Sequence, residues 1–193
     1  MNPTVLFDVG GVLADLGSPT GLMGLPYGDE QFWQAWTSSS NVRAYETGRM
    51  TEDQALPAIS HDLGITDLGD FAQIFRRWRL RLYPDVERLV AKLPDDIELA
   101  LLSNINPMHW QQLCDSTSIF DRFAHLFLSY ERGIYKPDAA AFEYAIEVLG
   151  RDPGDILFLD DTKANVDAAR RHGIDAHHVN DLESLKSRLS ALL

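Results

Sequence analysis

Several things are scarce in this chain, and each shortage excludes a class. Cys114 is the only cysteine among 193 residues, so no intrachain disulfide can form and a reducing compartment is expected. Cys114 itself reads as a packing residue. No apolar run reaches the roughly 18 residues of a membrane span. The first residues lack a basic region followed by an export-type apolar stretch, because Thr4 to Phe7 leads straight into Asp8 and the Gly10-Gly11 pair. A cytoplasmic protein is expected. Positive charge is also short: 17 Lys and Arg face 29 Asp and Glu, a formal charge of −12. That balance opposes binding to polyphosphate backbones and anionic surfaces, so neither nucleic acid nor membrane is an expected partner.

What remains is an ordinary globular balance, 45% hydrophobic and 24% charged, enough for one core with a small accessory unit. Short apolar runs recur at 4–7, 97–102, 126–128, 156–159 and 176–179, each bounded by turn or acidic residues. Such runs suit strands buried on both faces. Helical patterns lie between them at 85–93, 107–115, 137–149, 163–172 and 182–192. Alternation of this kind predicts an α/β fold, a doubly wound parallel sheet with helices on both sides.

The gap between Asp8 and Ile97 far exceeds a simple crossover. Residues 16–83 carry no strand pattern, while 29–36, 51–63 and 71–82 read as helices. Thr51 with Gln54 fits a capping box, and Gly48 fits a helix end. The sequence therefore predicts a core of residues 1–15 and 84–193, with a small helical domain, 16–83, inserted after the first strand.

In a parallel sheet, ligands gather beyond the carboxyl ends of the strands. Here those ends carry Asp8, Ser103-Asn104 and Asp160-Asp161, with Lys136 in the loop Gly133-Ile134-Tyr135-Lys136-Pro137. Three converging carboxylates would repel one another and titrate high without a cation. Oxygen ligands beside a phosphate suit Mg²⁺. Lys136 can hold a phosphate oxygen, Ser103 and Asn104 can donate to it, and Gly10 and Gly11 let backbone approach closely.

The four strings FDVGGVLAD (7–15), LLSN (101–104), GIYKP (133–137) and FLDDTKANVDAA (158–169), in this order at strand ends, resemble the haloacid dehalogenase-like superfamily over essentially the whole chain. The resemblance implies a Rossmann-like core, a mobile cap and a phosphoric monoester hydrolase. By it, Asp8 is nucleophile and metal ligand, Gly10 gives a carbonyl to Mg²⁺, and Asp161 with Asp160 completes the protein's ligands. Ser103, Asn104 and Gly11 match phosphate-holding positions, Lys136 the charge-neutralising lysine, and Asn165 a supporting position. The implied reaction is in-line attack by Asp8 on a small-molecule phosphate ester, through an aspartyl-phosphate that water hydrolyses.

One position departs from that pattern. Most phosphatases of the family carry an acid two places after the nucleophile to protonate the leaving oxygen; here it is Gly10. A missing general acid forfeits about 10²–10⁴-fold in rate, which disfavours a mutase and leaves a phosphatase feasible if its leaving group departs easily, as an anomeric sugar oxygen or phenolate does, or if water or the cap supplies a proton. A Gly here with this opening string resembles glucose-1-phosphate-type sugar phosphatases. Two other readings stay open: a catalytically weak member that binds a phospho-ligand or protein partner, and a 2-haloacid dehalogenase, which the paired acids Asp160-Asp161 argue against. A phosphonate-cleaving enzyme with a cap lysine is disfavoured because residues 16–83 contain no Lys.

In the cap, Phe32, Trp33 and Trp36 read as core rather than substrate platform. Tyr45, Glu46 and Arg49 flank the Gly48 turn, which reads equally as a surface turn or as a reach into the site. Arg76, Arg77, Arg79 and Arg81 read as a solvated or ion-paired face. His177 and His178 point to opposite faces of a strand, and Lys163 at a helix start reads as solvated.

Overall fold

The computed structural model describes residues 4–193. Its main sheet is built from β1 (Thr4–Phe7), β4 (Glu98–Ser103), β5 (His125–Leu128), β6 (Ile156–Asp160) and β7 (Asp175–His178), all paired parallel in the order β5-β4-β1-β6-β7. The sheet continues outward from β1 on one side through β4 and β5, then crosses back to β6 and β7. The reversal occurs at β1, and that is where a doubly wound sheet leaves a crevice.

Alternation along the strands decides the layers. Val5 and Phe7 face one side, with α6 (Val86–Ala91), α7 (Pro107–Ser116) and α11 (Leu182–Leu189) supplying Val86, Leu113, Leu185 and Leu189 to the same cluster. Leu6 faces the other side, where α9 (Ala139–Leu149) and α10 (Lys163–Arg171) add Phe142, Ala145, Val166 and Ala169. Both faces are covered, which is why these strands read as unbroken apolar runs. Cys114 departs from expectation: it lies exposed on α7.

The inserted segment leaves the core through β2 (Ala14–Asp15) and returns through β3 (Arg81–Leu82), a two-stranded antiparallel pair. Between them lie α1 (Pro19–Met23), α2 (Asp29–Ser38), α3 (Ser40–Glu46), α4 (Glu52–Asp62) and α5 (Leu68–Arg77). They enclose a separate apolar cluster of Phe32, Trp36, Val42, Ile59, Phe71, Phe75 and Trp78. Gln54 Oε1 accepts the Thr51 backbone N–H at 3.0 Å, the capping-box bond the sequence suggests. The expected helix 71–82 begins earlier and stops at Arg77, because the chain must extend to form β3.

The cap is docked on the core. Ser129 Oγ donates to the Glu46 carbonyl at 2.5 Å, and Gln112 Nε2 to the Arg76 carbonyl at 3.0 Å. Arg43 pairs with Asp138 across the junction. Gly48 has φ +71°, and a Cβ there would lie 2.3 Å from the Tyr130 carbonyl oxygen, so only glycine lets this turn approach the core so closely. Arg76 pairs with Glu52 at 2.7 Å. Among the described residues, no helix is long and apolar enough to cross a membrane.

Candidate active site

The carboxyl ends of β1, β4 and β6 bring Asp8, Ser103 and Asp161 to one cavity of about 320 Å³, which residues of the inserted segment also line, with Asp160 fully buried next to Asp161. Asp8, Asp160 and Asp161 each offer an oxygen within 4.8 Å of the others. Lys136 enters from the loop after α8 (Ser129–Arg132), and its ammonium lies 3.0 Å from Asp8 Oδ1 and 2.6 Å from Asp160 Oδ2. Its side chain is only 1% exposed. Burial alone would depress its pKa, but Asp160 and Asp8 outweigh that and raise it, so it stays charged.

Asp160 is itself fully spent. It accepts from Lys136 Nζ, from the Thr162 backbone N–H at 2.8 Å, and from Asn165 Nδ2 at 3.0 and 3.1 Å. Its arrangement holds Lys136 and Asn165 in place more than it offers a free ligand oxygen. Asp8 is fixed by the Val9 backbone N–H, 2.7 Å from Oδ1. Burial raises the Asp8 pKa to about 7, with Asp160 and Asp161 adding to the rise while Lys136 and a bond from Ser103 oppose it. Asp161 is raised to about 6 by burial and by Asp160, against Lys136 and a bond from Thr162. One ammonium does not neutralise three carboxylates.

The donor set fits a hard divalent cation. Asp8 and Asp161 offer carboxylate oxygens within 4.8 Å of one another, Asp160 lies beside them, and negative charge is in excess. Gly11 explains how Asp161 comes so close. At φ +69° it has no Cβ, and one placed there would sit 2.1 Å from Asp161 Oδ2. Gly11, expected at a phosphate, does not line the cavity, and its N–H donates to the Ala14 carbonyl at 2.8 Å. Its contribution is room for a carboxylate.

Asn104 lines the cavity and also serves the lysine loop. Its side chain donates to the Lys136 carbonyl at 2.8 Å and accepts the Lys136 N–H at 2.9 Å, clamping the backbone of the lysine loop. Ser103 and Asn165 are both buried and line the cavity. Lys163 is solvated, with an 80% exposed side chain paired to Asp167. His178 reaches back to the Asp161 carbonyl at 2.7 Å, while His177 pairs with Asp175 at 2.9 Å.

From the cap side, Trp33, Trp36 and Trp78 line the cavity with Leu16 and Leu80. Phe32 and Trp36 stack within the cap core at 5.6 Å, so Trp36 serves both core and wall. Glu46 also lines the cavity, buried, with Oε2 accepting from the Tyr135 hydroxyl at 2.8 Å. His109 is pushed down to about 4 by burial and packs against Phe75 and Trp78.

The chain is similar to proteins of several activities. The haloacid dehalogenase-like hydrolase profile matches residues 3–173. The drimenol cyclase drtB of Aspergillus calidoustus is 29% identical over 136 residues, 67% of this chain but only 26% of that protein. The sesquiterpene phosphatase astK of Aspergillus oryzae is 24% identical over 148 residues, 75% of this chain and 74% of that protein. The fold of enzyme bt-2542 from Bacteroides thetaiotaomicron, solved in complex with magnesium and inorganic phosphate, superposes with a TM-score of 0.73 at 23% identity, covering 92% of this chain and 94% of that one. The L-2-haloacid dehalogenase of Xanthobacter autotrophicus superposes at 0.68 with 26% identity, covering 99% and 83%.

Proposed function

The chain belongs to the haloacid dehalogenase-like hydrolases, and from that premise we propose that it is a magnesium-dependent phosphatase of small phosphate monoesters. The observation that carries this is the cluster of Asp8, Asp160 and Asp161 around a single ammonium. A metal-free dehalogenase would have to admit an anionic haloacid against that excess negative charge. A phosphatase has a use for the charge, because the cation it holds meets an anionic substrate.

Asp8, Asp161 and the Gly10 carbonyl are the groups assigned to magnesium, which when bound supplies positive charge against the phosphoryl oxygens. Everything else falls to the chain. Asp8 attacks phosphorus in line, forming an aspartyl-phosphate that water then cleaves. Lys136 keeps a full positive charge beside the attacking carboxylate and the transferred group. Asp160, itself held by Asn165, keeps that lysine from swinging away, and Asn104 fixes its backbone. Ser103 donates to the phosphoryl oxygens. The docked cap excludes bulk water from the reacting atoms.

The leaving group lies against Leu16, Trp33, Trp36 and Trp78, an aromatic wall interrupted by Thr37 and Glu46. A cavity of about 320 Å³ suits a small ester whose alcohol part offers ring or hydrocarbon surface, a sugar phosphate among them. The test is turnover of an aryl phosphate by purified protein with Mg²⁺ and then with EDTA, alongside Asp8→Asn. The expected result is hydrolysis abolished by EDTA and by the substitution. Tight phosphate-ester binding without turnover would instead make the chain a binding module, and halide release from a 2-haloacid in EDTA would make it a dehalogenase.

A further inference from the structure

Gly10 leaves the nucleophile without a neighbouring acid, so the proton for a departing alkoxide must come from elsewhere. The titratable groups lining the cavity are Asp8, Asp161, Lys136, His109, Tyr135 and Glu46. The first three are occupied by nucleophile, cation and charge neutralisation. Burial leaves His109 unprotonated at neutral pH, and burial with the adjoining Glu46 holds the Tyr135 hydroxyl far above the neutral range. Only Glu46 remains.

Glu46 ends α3, where the cap meets the core, and it is 6% exposed. Two anchors fix it. Its carbonyl accepts from Ser129 Oγ, and its Oε2 accepts from Tyr135, the residue before Lys136. Its side chain is therefore tied to the same loop that carries the active-site ammonium. Tyr135 faces it, with Arg43 over the Tyr135 ring at 4.8 Å and itself paired to Asp138. On its own helix lies Tyr45, with Glu52 and Arg76 beyond, and the cavity also holds Lys136, Asp8 and Asp161. Among the described residues, no ion pair engages Glu46. Burial raises its pKa from 4.5 to about 7, although bonds from Tyr135 and Trp36 oppose the rise. An acid in that condition carries a transferable proton at neutral pH.

We propose that Glu46 donates the proton to the leaving oxygen, standing in from the cap for the acid absent at Gly10. The inference rests on the phosphatase reading above. As the bond from the Asp8 oxygen to phosphorus forms, the ester P–O bond breaks, and its electron pair stays on the ester oxygen. That oxygen takes the proton from the Glu46 carboxyl group and departs as the alcohol. In the second half, water attacks phosphorus and gives its proton to the Glu46 carboxylate while the Asp8–phosphorus bond breaks. Inorganic phosphate, the Asp8 carboxylate and protonated Glu46 result. Because the donor belongs to the cap, cap docking would both close the site and complete the acid-base machinery.

The discriminating experiment compares kcat/KM for p-nitrophenyl phosphate and 2-phenylethyl phosphate, two esters of similar bulk but very different leaving groups. Wild type and Glu46→Gln are measured with Mg²⁺ from pH 5 to 9. The loss caused by the substitution should be about 10²–10⁴-fold greater on the alkyl ester, whose wild-type profile should fall above a pH of about 7 where the aryl profile does not. Equal losses on both esters, or none on either, would overturn the assignment while leaving the phosphatase intact. If Glu46→Gln fails to fold, the two wild-type profiles decide: a basic limb confined to the alkyl ester supports the assignment, and identical profiles overturn it. A wild type that hydrolyses neither ester overturns the phosphatase reading and this inference together.

Discussion

Replacing Lys136 by Met isolates the electrostatic term from packing, because the methionine keeps the aliphatic stem that runs toward the Phe158 ring, 5.5 Å from the ammonium. The substitution removes the partner of two buried carboxylates, Asp8 at 3.0 Å and Asp160 at 2.6 Å. Breaking a buried pair this way costs about 3–5 kcal/mol. At 2–4 °C per kcal/mol for a chain of this size, that corresponds to a drop of roughly 6–20 °C in Tm. The loss should depend on pH with a definite sign. Without the ammonium, the Asp8 pKa, already raised to about 7 by burial, loses its opposing charge and rises further, so folding retains a proton that the unfolded chain releases, and the penalty grows as pH rises. Urea unfolding in EDTA at pH 5 and pH 8 measures it. The expected penalty is large at pH 8 and markedly smaller at pH 5. A loss below about 1 kcal/mol at pH 8, or the same loss at both values, would show that Lys136 does not hold the cluster together.

Other perturbations probe the remaining parts. Gly11→Ala forces a Cβ to 2.1 Å from Asp161 Oδ2 at φ +69°. It should cost about 1–3 kcal/mol and abolish the rise in Tm produced by Mg²⁺; a normal metal response would refute the role given to Asp161. In metal-free wild type, Asp8 raised to about 7 and Asp161 to about 6 bind protons in the fold that the unfolded chain has released, and Glu46 acts in the same direction. Stability should therefore fall as pH rises from about 4 to 7, and the Mg²⁺ gain in a thermal melt should be larger at pH 7.5 than at pH 5. A gain independent of pH would contradict this. Asn104→Ala removes both bonds to the Lys136 backbone and should lower kcat by about 10²-fold through misplacement of the ammonium. Unchanged kcat would show the clamp to be dispensable.

The sheet and its catalytic edge were legible because two independent patterns coincide there. Apolar runs mark strands buried on both faces, and the polar residue ending each run falls at the crevice, as with Asp8 after Phe7 and Asp160 closing β6. The cap was legible as helices, but the antiparallel pair that connects it to the core was not. The strands β2 and β3 are two residues each, too short to show any period. Helix α3 escaped for the same reason at seven residues, although Ser39 accepting from the Asn41 and Val42 N–H groups is a cap that the sequence could have shown. With α3 missing, Glu46 could not be placed. The helix expected from Pro137 starts at Ala139, because Asp138 first turns back to the Tyr135 carbonyl. The opposite assignments of neighbours Asp160 and Asp161 depend on hydrogen bonds from Lys136, Thr162 and Asn165, which no local pattern encodes.

Covalent transfer to Asp8 is the step on which the account stands. Rapid quenching of the protein during turnover of an aryl phosphate with Mg²⁺, followed by peptide mass spectrometry, reads it directly. A phosphoryl group on the peptide containing Asp8, absent from the Asp8→Asn protein, is the expected result. Steady hydrolysis with the phosphoryl group on another residue, or undiminished hydrolysis by Asp8→Asn, would contradict it.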